Sequence, residues 1–112
     1  FGVIHFDAHA DTGAEVMGVT ELSHGTPFYR GVAEGFLRGD HIFQIGLRGA
    51  WPFPEEFRWM REQGFRWATM GEVQERGLGP VVREAIAYAA SKAPRTYLTV
   101  DIDVLDPAFA PG

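Results

Sequence analysis

Two short acidic motifs hold the side chains most able to do chemistry. Asp7-Ala8-His9-Ala10-Asp11 follows an apolar run, and its polar residues at i, i+2 and i+4 point to one side if the backbone stays extended. Asp101-Ile102-Asp103 repeats the spacing after Tyr97-Leu98-Thr99-Val100, a stretch apolar enough to be expected in a buried strand. One such motif alone reads first as a surface loop with turn-forming aspartates. Two of them, each at the end of a strand, change the reading, because ligands of open parallel sheets bind outside the carboxyl ends of the strands. Four aspartates and one imidazole gathered there would oppose each other's ionisation, and divalent cations would offset the charge. The oxygen-rich donor set with a single imidazole suits Mn²⁺ better than Zn²⁺, which favours nitrogen and sulfur. Two such ions would take the formal charge from -5 to about -1 (-5 + 4). Asp106, ahead of Pro107, reads as a turn starter and not as a ligand.

The elements that must position these motifs alternate between strand-like and helix-like runs, the order of a parallel sheet with helices on its faces. Strands are expected at Val3 to Phe6, His41 to Leu47, Phe65 to Thr69 and Thr96 to Asp101, all rich in β-branched or aromatic residues. Helices are expected at Pro27 to Leu37, Pro54 to Gln63 and Pro80 to Ser91, each with proline near its first turn, where the missing amide costs nothing. Val81, Val82, Ala85, Ile86 and Ala89 give the last a core-facing stripe. The 112 residues allow one domain, and 46% hydrophobic with 22% charged residues exclude a disordered or fibrous chain. A net charge of -5 without a basic run argues against nucleic acid or an anionic membrane as partner. With no cysteine there is no disulfide, thiolate site or cysteine nucleophile, which fits a reducing compartment. No apolar run reaches the roughly 20 residues of a membrane span and no leader opens the chain, so a cytoplasmic protein is expected.

Four strings together resemble the ureohydrolase (arginase/agmatinase) family, and within it the agmatinases: His5-Phe6-Asp7-Ala8-His9-Ala10-Asp11-Thr12, Ser23-His24-Gly25-Thr26-Pro27-Phe28, Gln44-Ile45-Gly46-Leu47-Arg48, and Leu98 through Gly112. The resemblance implies a three-layer α/β fold, a parallel sheet with helices on both faces, and a binuclear manganese site that hydrolyses a guanidine to an amine and urea. It implies that Asp7 and Asp101 bridge the two Mn²⁺ ions, that His9 and Asp103 bind one of them, and that Asp11 binds the other and orients the nucleophile. The family's upstream Gly-Gly-Asp-His element and its downstream acidic substrate residue have no counterpart in 1–112. The chain is therefore expected to be the central part, 1–112, of a single longer catalytic domain, inactive alone, and a homo-oligomer, trimer or hexamer, in its full form.

His24 lies in a Gly-Pro loop entering a helix and reads either as a cap or, by the resemblance, as a catalytic group that passes a proton to the departing amine. His5 is expected to face away from the aspartates and His41 to open a strand, neither as a ligand. Trp51, Phe53, Phe57, Trp59, Phe65 and Trp67 read mainly as core, with an oligomer contact as the minority reading, and Glu72, Glu75 and Arg76 as a solvated helix face. Arginine-cleaving relatives carry an asparagine where Gly13 stands, so the carboxylate of arginine loses a contact. Glu15 and Glu21 can attract an amine-terminated chain such as agmatine. 4-Guanidinobutyrate or arginine is the alternative substrate, and a non-catalytic metal-binding homologue the alternative class.

Overall fold

The computed structural model describes residues 1–15 and 22–111. Four parallel strands, β1 (Gly2–Phe6), β2 (Ile42–Leu47), β3 (Arg66–Thr69) and β4 (Thr96–Val100), form one sheet in the order β3-β2-β1-β4. Helices α1 (Pro27–Ala33), α2 (Pro54–Gln63), α3 (Met70–Arg76) and α4 (Leu78–Lys92) provide the crossovers.

Strand alternation sorts the core into two layers. Val3, Ile42 and Leu47 face α1 and α2 and pack with Phe28, Met60 and Phe65. Ile4, Phe43 and Ile45 face α4, whose Val81, Ala85 and Ala89 form the stripe expected from the sequence. Helices thus lie on both faces of β1 and β2, the three-layer arrangement expected. Ile86 of that stripe is exposed instead. Phe57, Trp59, Phe65 and Trp67 join the α1–α2 core, whereas Trp51 and Phe53 stand outside it.

Several element ends shift by one or two residues, and three departures are informative. Helix α1 ends at Ala33, not Leu37, because Gly35 takes a φ of +81° and the Leu37 amide turns back to the Gly31 carbonyl at 2.8 Å. His41 does not open β2; it closes a 3-10 turn, Gly39–His41. The face carrying Glu72 belongs to a separate helix, α3, started by a capping box between Thr69 and Glu72.

Strand β4 departs most from its sequence. Tyr97, Leu98 and Val100 are exposed, because among the described residues no helix packs over either face of β4, which pairs with β1 alone. Gly46 matters at the carboxyl end of the strands: its φ is +110°, and a Cβ there would stand 2.7 Å from Val104 Cγ2 and 3.0 Å from the Asp7 carbonyl oxygen. Glycine lets the segment after β4 close over the ends of β1 and β2.

Candidate metal-binding site at the strand ends

Strand pairing continues one rung beyond the regular sheet. The Asp7 amide donates to the Ile45 carbonyl at 3.1 Å, the Asp101 amide to Phe6 at 2.8 Å, and the Arg48 amide to Ala8 at 3.0 Å. These rungs place Asp7 beside Asp101 at the carboxyl end of the sheet. The backbone then bends, so the extended spacing of the first motif does not persist. The His9 amide turns back to Asp7 Oδ1 at 2.7 Å, and Asp11 adopts a φ of +54°, a left-handed conformation that aspartate tolerates better than most residues. Asp101 likewise leaves the strand to begin a 3-10 turn, Ile102–Val104, and accepts the Asp103 amide at 2.9 Å.

The bends bring the side chains together. His9 Nδ1 lies 3.0 Å from Asp103 Oδ2 and 3.4 Å from Asp7 Oδ1, and Asp103 Oδ1 accepts the Ala8 amide at 3.3 Å. Two sets of ligand atoms each fall within 4.8 Å: Asp7, His9 and Asp103, and His5, Asp7 and Asp11. Asp7 belongs to both. Asp101 belongs to neither, but it lines the same cavity of about 250 Å³ together with Asp7, His9, Asp11, His24, Trp51, Glu56 and Asp103.

His24 reaches this cavity through pairing of its loop with the Asp11 segment: the Gly13 amide donates to Gly25 at 3.0 Å and the Phe28 amide to Asp11 at 3.1 Å. It does not cap α1. Thr26 holds the N-cap position, with its hydroxyl bonded to Ser23, and the exposed His24 ring makes no hydrogen bond among the described residues. Glu15 is exposed, and Glu21 lies outside the described residues.

The sequence reading missed four contributors. His5 does not face away from the aspartates: two residues from Asp7, it shares that side of the strand, with Nε2 2.9 Å from Asp7 Oδ2. Gln44 packs against it. Arg48 donates to three consecutive carbonyls, those of Asp103 at 2.6 Å, Val104 at 3.0 Å and Leu105 at 3.0 Å. Trp51 Nε1 donates to Glu56 Oε1 at 2.6 Å at the cavity wall. Residue parity could have placed His5; the other contacts join residues too far apart in sequence, or in too irregular a loop, to show in spacing.

Charge is crowded here. Burial raises the Asp11 pKa to about 6, and repulsion from Asp7 adds to it. Burial also raises that of Asp103, aided by the Asp7 and Asp101 carboxylates. Burial opposes ionisation of Asp7 too, but hydrogen bonds from His5 and the His9 amide outweigh it and hold its pKa below the ordinary value. Four carboxylates and an imidazole at the strand ends form the oxygen-rich donor set that hard or borderline divalent cations such as Mn²⁺ accept. The residues present therefore fit a divalent metal.

A parallel sheet covered on both faces, with this polar site at its strand ends, defines an α/β protein of the doubly covered kind. The model of the Arginase family matches residues 1–112, and the chain belongs to that family. It is 43% identical to the guanidinopropionase of Pseudomonas aeruginosa over 99% of its length and 34% of that protein, and 40% identical to the mitochondrial agmatinase of Gallus gallus over 99% and 32%. The crystal structure of formimidoylglutamase from Bacillus subtilis superposes with a TM-score of 0.89 at 32% identity, covering 99% of this chain and 34% of that one. The chain spans about a third of the length of the relatives it matches. Among the described residues, no helix is long and apolar enough to cross a membrane.

Proposed function

We propose that residues 1–112 are the central part of a single ureohydrolase catalytic domain, and that the full protein hydrolyses agmatine to putrescine and urea with two manganese ions. The observation that carries this reading is the convergence of Asp7, His9, Asp11, Asp101, Asp103 and His24 on one cavity at the ends of β1 and β4. Asp7 and Asp101 would be shared by both ions, His9 and Asp103 would serve one, and Asp11 the other. Bound there, the ions would supply Lewis acidity that makes water a competent nucleophile near neutral pH. The chain's own groups do the rest. Asp11 accepts a hydrogen bond from the attacking water and aims it at the guanidinium carbon, and His24 delivers a proton to the amine as the C–N bond breaks. The reading includes a cytoplasmic location, as a cysteine-free chain suits, and a trimer or hexamer, as the family resemblance implies.

Agmatine is favoured because the residues described as lining the cavity include no lysine or arginine to receive an acidic tail, while Glu56 offers a carboxylate to a cationic one. The guanidinopropionase relative supports a second reading, a guanidino acid as substrate. Urea release by the full-length protein with Mn²⁺ separates them: agmatine is expected to turn over faster than 3-guanidinopropionate, 4-guanidinobutyrate and arginine. Faster turnover of a guanidino acid installs the second reading, and manganese binding without urea from any guanidine would contradict hydrolysis altogether.

A further inference from the structure

Beneath the cavity lies a buried polar chain whose hydrogen-bond logic fixes one proton. β1 and β2 pair His5 with Gln44, and both side chains point to the α1 side, where the Phe28 ring covers His5 at a centroid distance of 4.6 Å. His5, Gln44 and Asp7 are 3%, 0% and 2% exposed, so each polar atom must find its partner inside the protein. Gln44 Nε2 stands 2.7 Å from the Ala10 carbonyl oxygen and 3.1 Å from His5 Nδ1.

The carbonyl decides the orientation of the amide. It can only accept, so the atom 2.7 Å from it is the NH₂ group; turning the amide over would set two oxygens against each other. The second hydrogen of that NH₂ then points at His5 Nδ1, which must accept. The ring proton of the neutral imidazole is left on Nε2, where it is donated to Asp7 Oδ2 at 2.9 Å. With the His9 amide on Oδ1, both oxygens of Asp7 are engaged and the plane of the carboxylate is set, while each keeps a lone pair for a cation. The same glutamine, through Ala10, holds the backbone next to Asp11. Its Oε1 is buried without a hydrogen bond among the described residues, a stability cost that an apolar residue would avoid.

We infer that Gln44 and His5 are positioning residues for the metal centre: Gln44 fixes His5 as the Nε2–H tautomer, and His5 orients Asp7 from behind as a hydrogen-bond donor, not as a ligand. His5 lies in a ligand-like cluster with Asp7 and Asp11, but a nitrogen that carries the proton has no lone pair to give. Outer partners of this kind are worth about 10- to 100-fold in metal affinity.

The inference rests on the manganese reading, and the test separates the two. In the full-length protein, ¹⁵N chemical shifts of the His5 ring are expected to report a proton on Nε2 and none on Nδ1. Mn²⁺ titration followed by electron paramagnetic resonance is expected to show about 10- to 100-fold weaker binding in His5→Phe. His5→Gln, whose amide can place an N–H near the Nε2 position, should recover most of that loss, and Gln44→Met should weaken binding less than His5→Phe. Wild-type affinity in folded His5→Phe, equal loss in His5→Gln and His5→Phe, or a proton on Nδ1 in the wild type would each overturn the positioning role. Wild-type protein that takes up no Mn²⁺ would overturn the metal reading and the inference with it.

Discussion

Asp7 and Asp101 leave adjacent parallel strands and face one cavity, yet their supports differ. Asp7 is 2% exposed, behind it stand His5 and Gln44, and β1 is flanked by strands on both sides. Within residues 1–112 Asp101 follows an edge strand with exposed Tyr97, Leu98 and Val100, and its segment is held by its own amide on Phe6, the Ala8 amide on Asp103 Oδ1 and the Arg48 guanidinium on the carbonyls of residues 103–105. The inner half of the site is built into the core, and the outer half is clamped onto it. Loss of Asp7, whose carboxylate has the buried partner His5, should cost both stability and metal, whereas loss of Asp101, which has no buried side-chain partner among the described residues, should cost metal first.

The largest effects come from the carboxylates themselves. In the full-length protein, Asp7→Ala and Asp101→Ala are each expected to reduce urea release to background, more than His9→Ala does. Only Asp7→Ala strands the buried His5 donor, so it should lose a further 1–3 kcal/mol or so of stability in denaturant titration. Equal destabilisation by both substitutions would erase the contrast.

His24→Asn should lower kcat by about 10²-fold at unchanged manganese content and melting temperature, since Thr26 and not His24 occupies the cap of α1. A loss of folding would return His24 to a structural role. Arg48→Met removes the clamp and should weaken Mn²⁺ binding by about 10- to 100-fold while the far-ultraviolet signal of the protein is unchanged. Arg48→Lys should not rescue it, because one ammonium cannot reproduce the planar fork that reaches three carbonyls.

The smallest effect is a pH dependence in metal-free protein. The Asp11 pKa is raised from 3.8 to about 6, so the folded state binds the extra proton. Its contribution to stability is full below pH 3.8 and is lost as pH rises through about 6. Metal-free Asp11→Asn should therefore gain stability over the wild type at pH 7 and lose that advantage near pH 4. A constant difference across this range would show that Asp11 ionises normally.

Much of the fold was legible because β-branched runs and proline-led helices carry their own local preferences. The failures have physical causes. Helix α1 stops early because Gly35 adopts a left-handed turn that outweighs the apolar Phe36 and Leu37 beyond it. The start of α3 is written in the sequence as Thr69-x-x-Glu72, a capping box whose signal is local. Strand β4 reads as buried from composition, but burial depends on what covers its two faces, and among the described residues no helix packs over it. At the site, the acidic motifs were conspicuous in the sequence, while the groups behind them were not. Gln44 meets His5 only through the register of β1 on β2, and Arg48 reaches carbonyls 55 to 57 positions away.

The most direct test of a manganese centre shared between the two halves is the metal content of the purified full-length protein by elemental analysis. Two manganese ions per chain are expected in the wild type, and none retained in Asp7→Ala or in Asp101→Ala, since each removes a carboxylate proposed to serve both ions. Full occupancy in either variant would contradict the shared site.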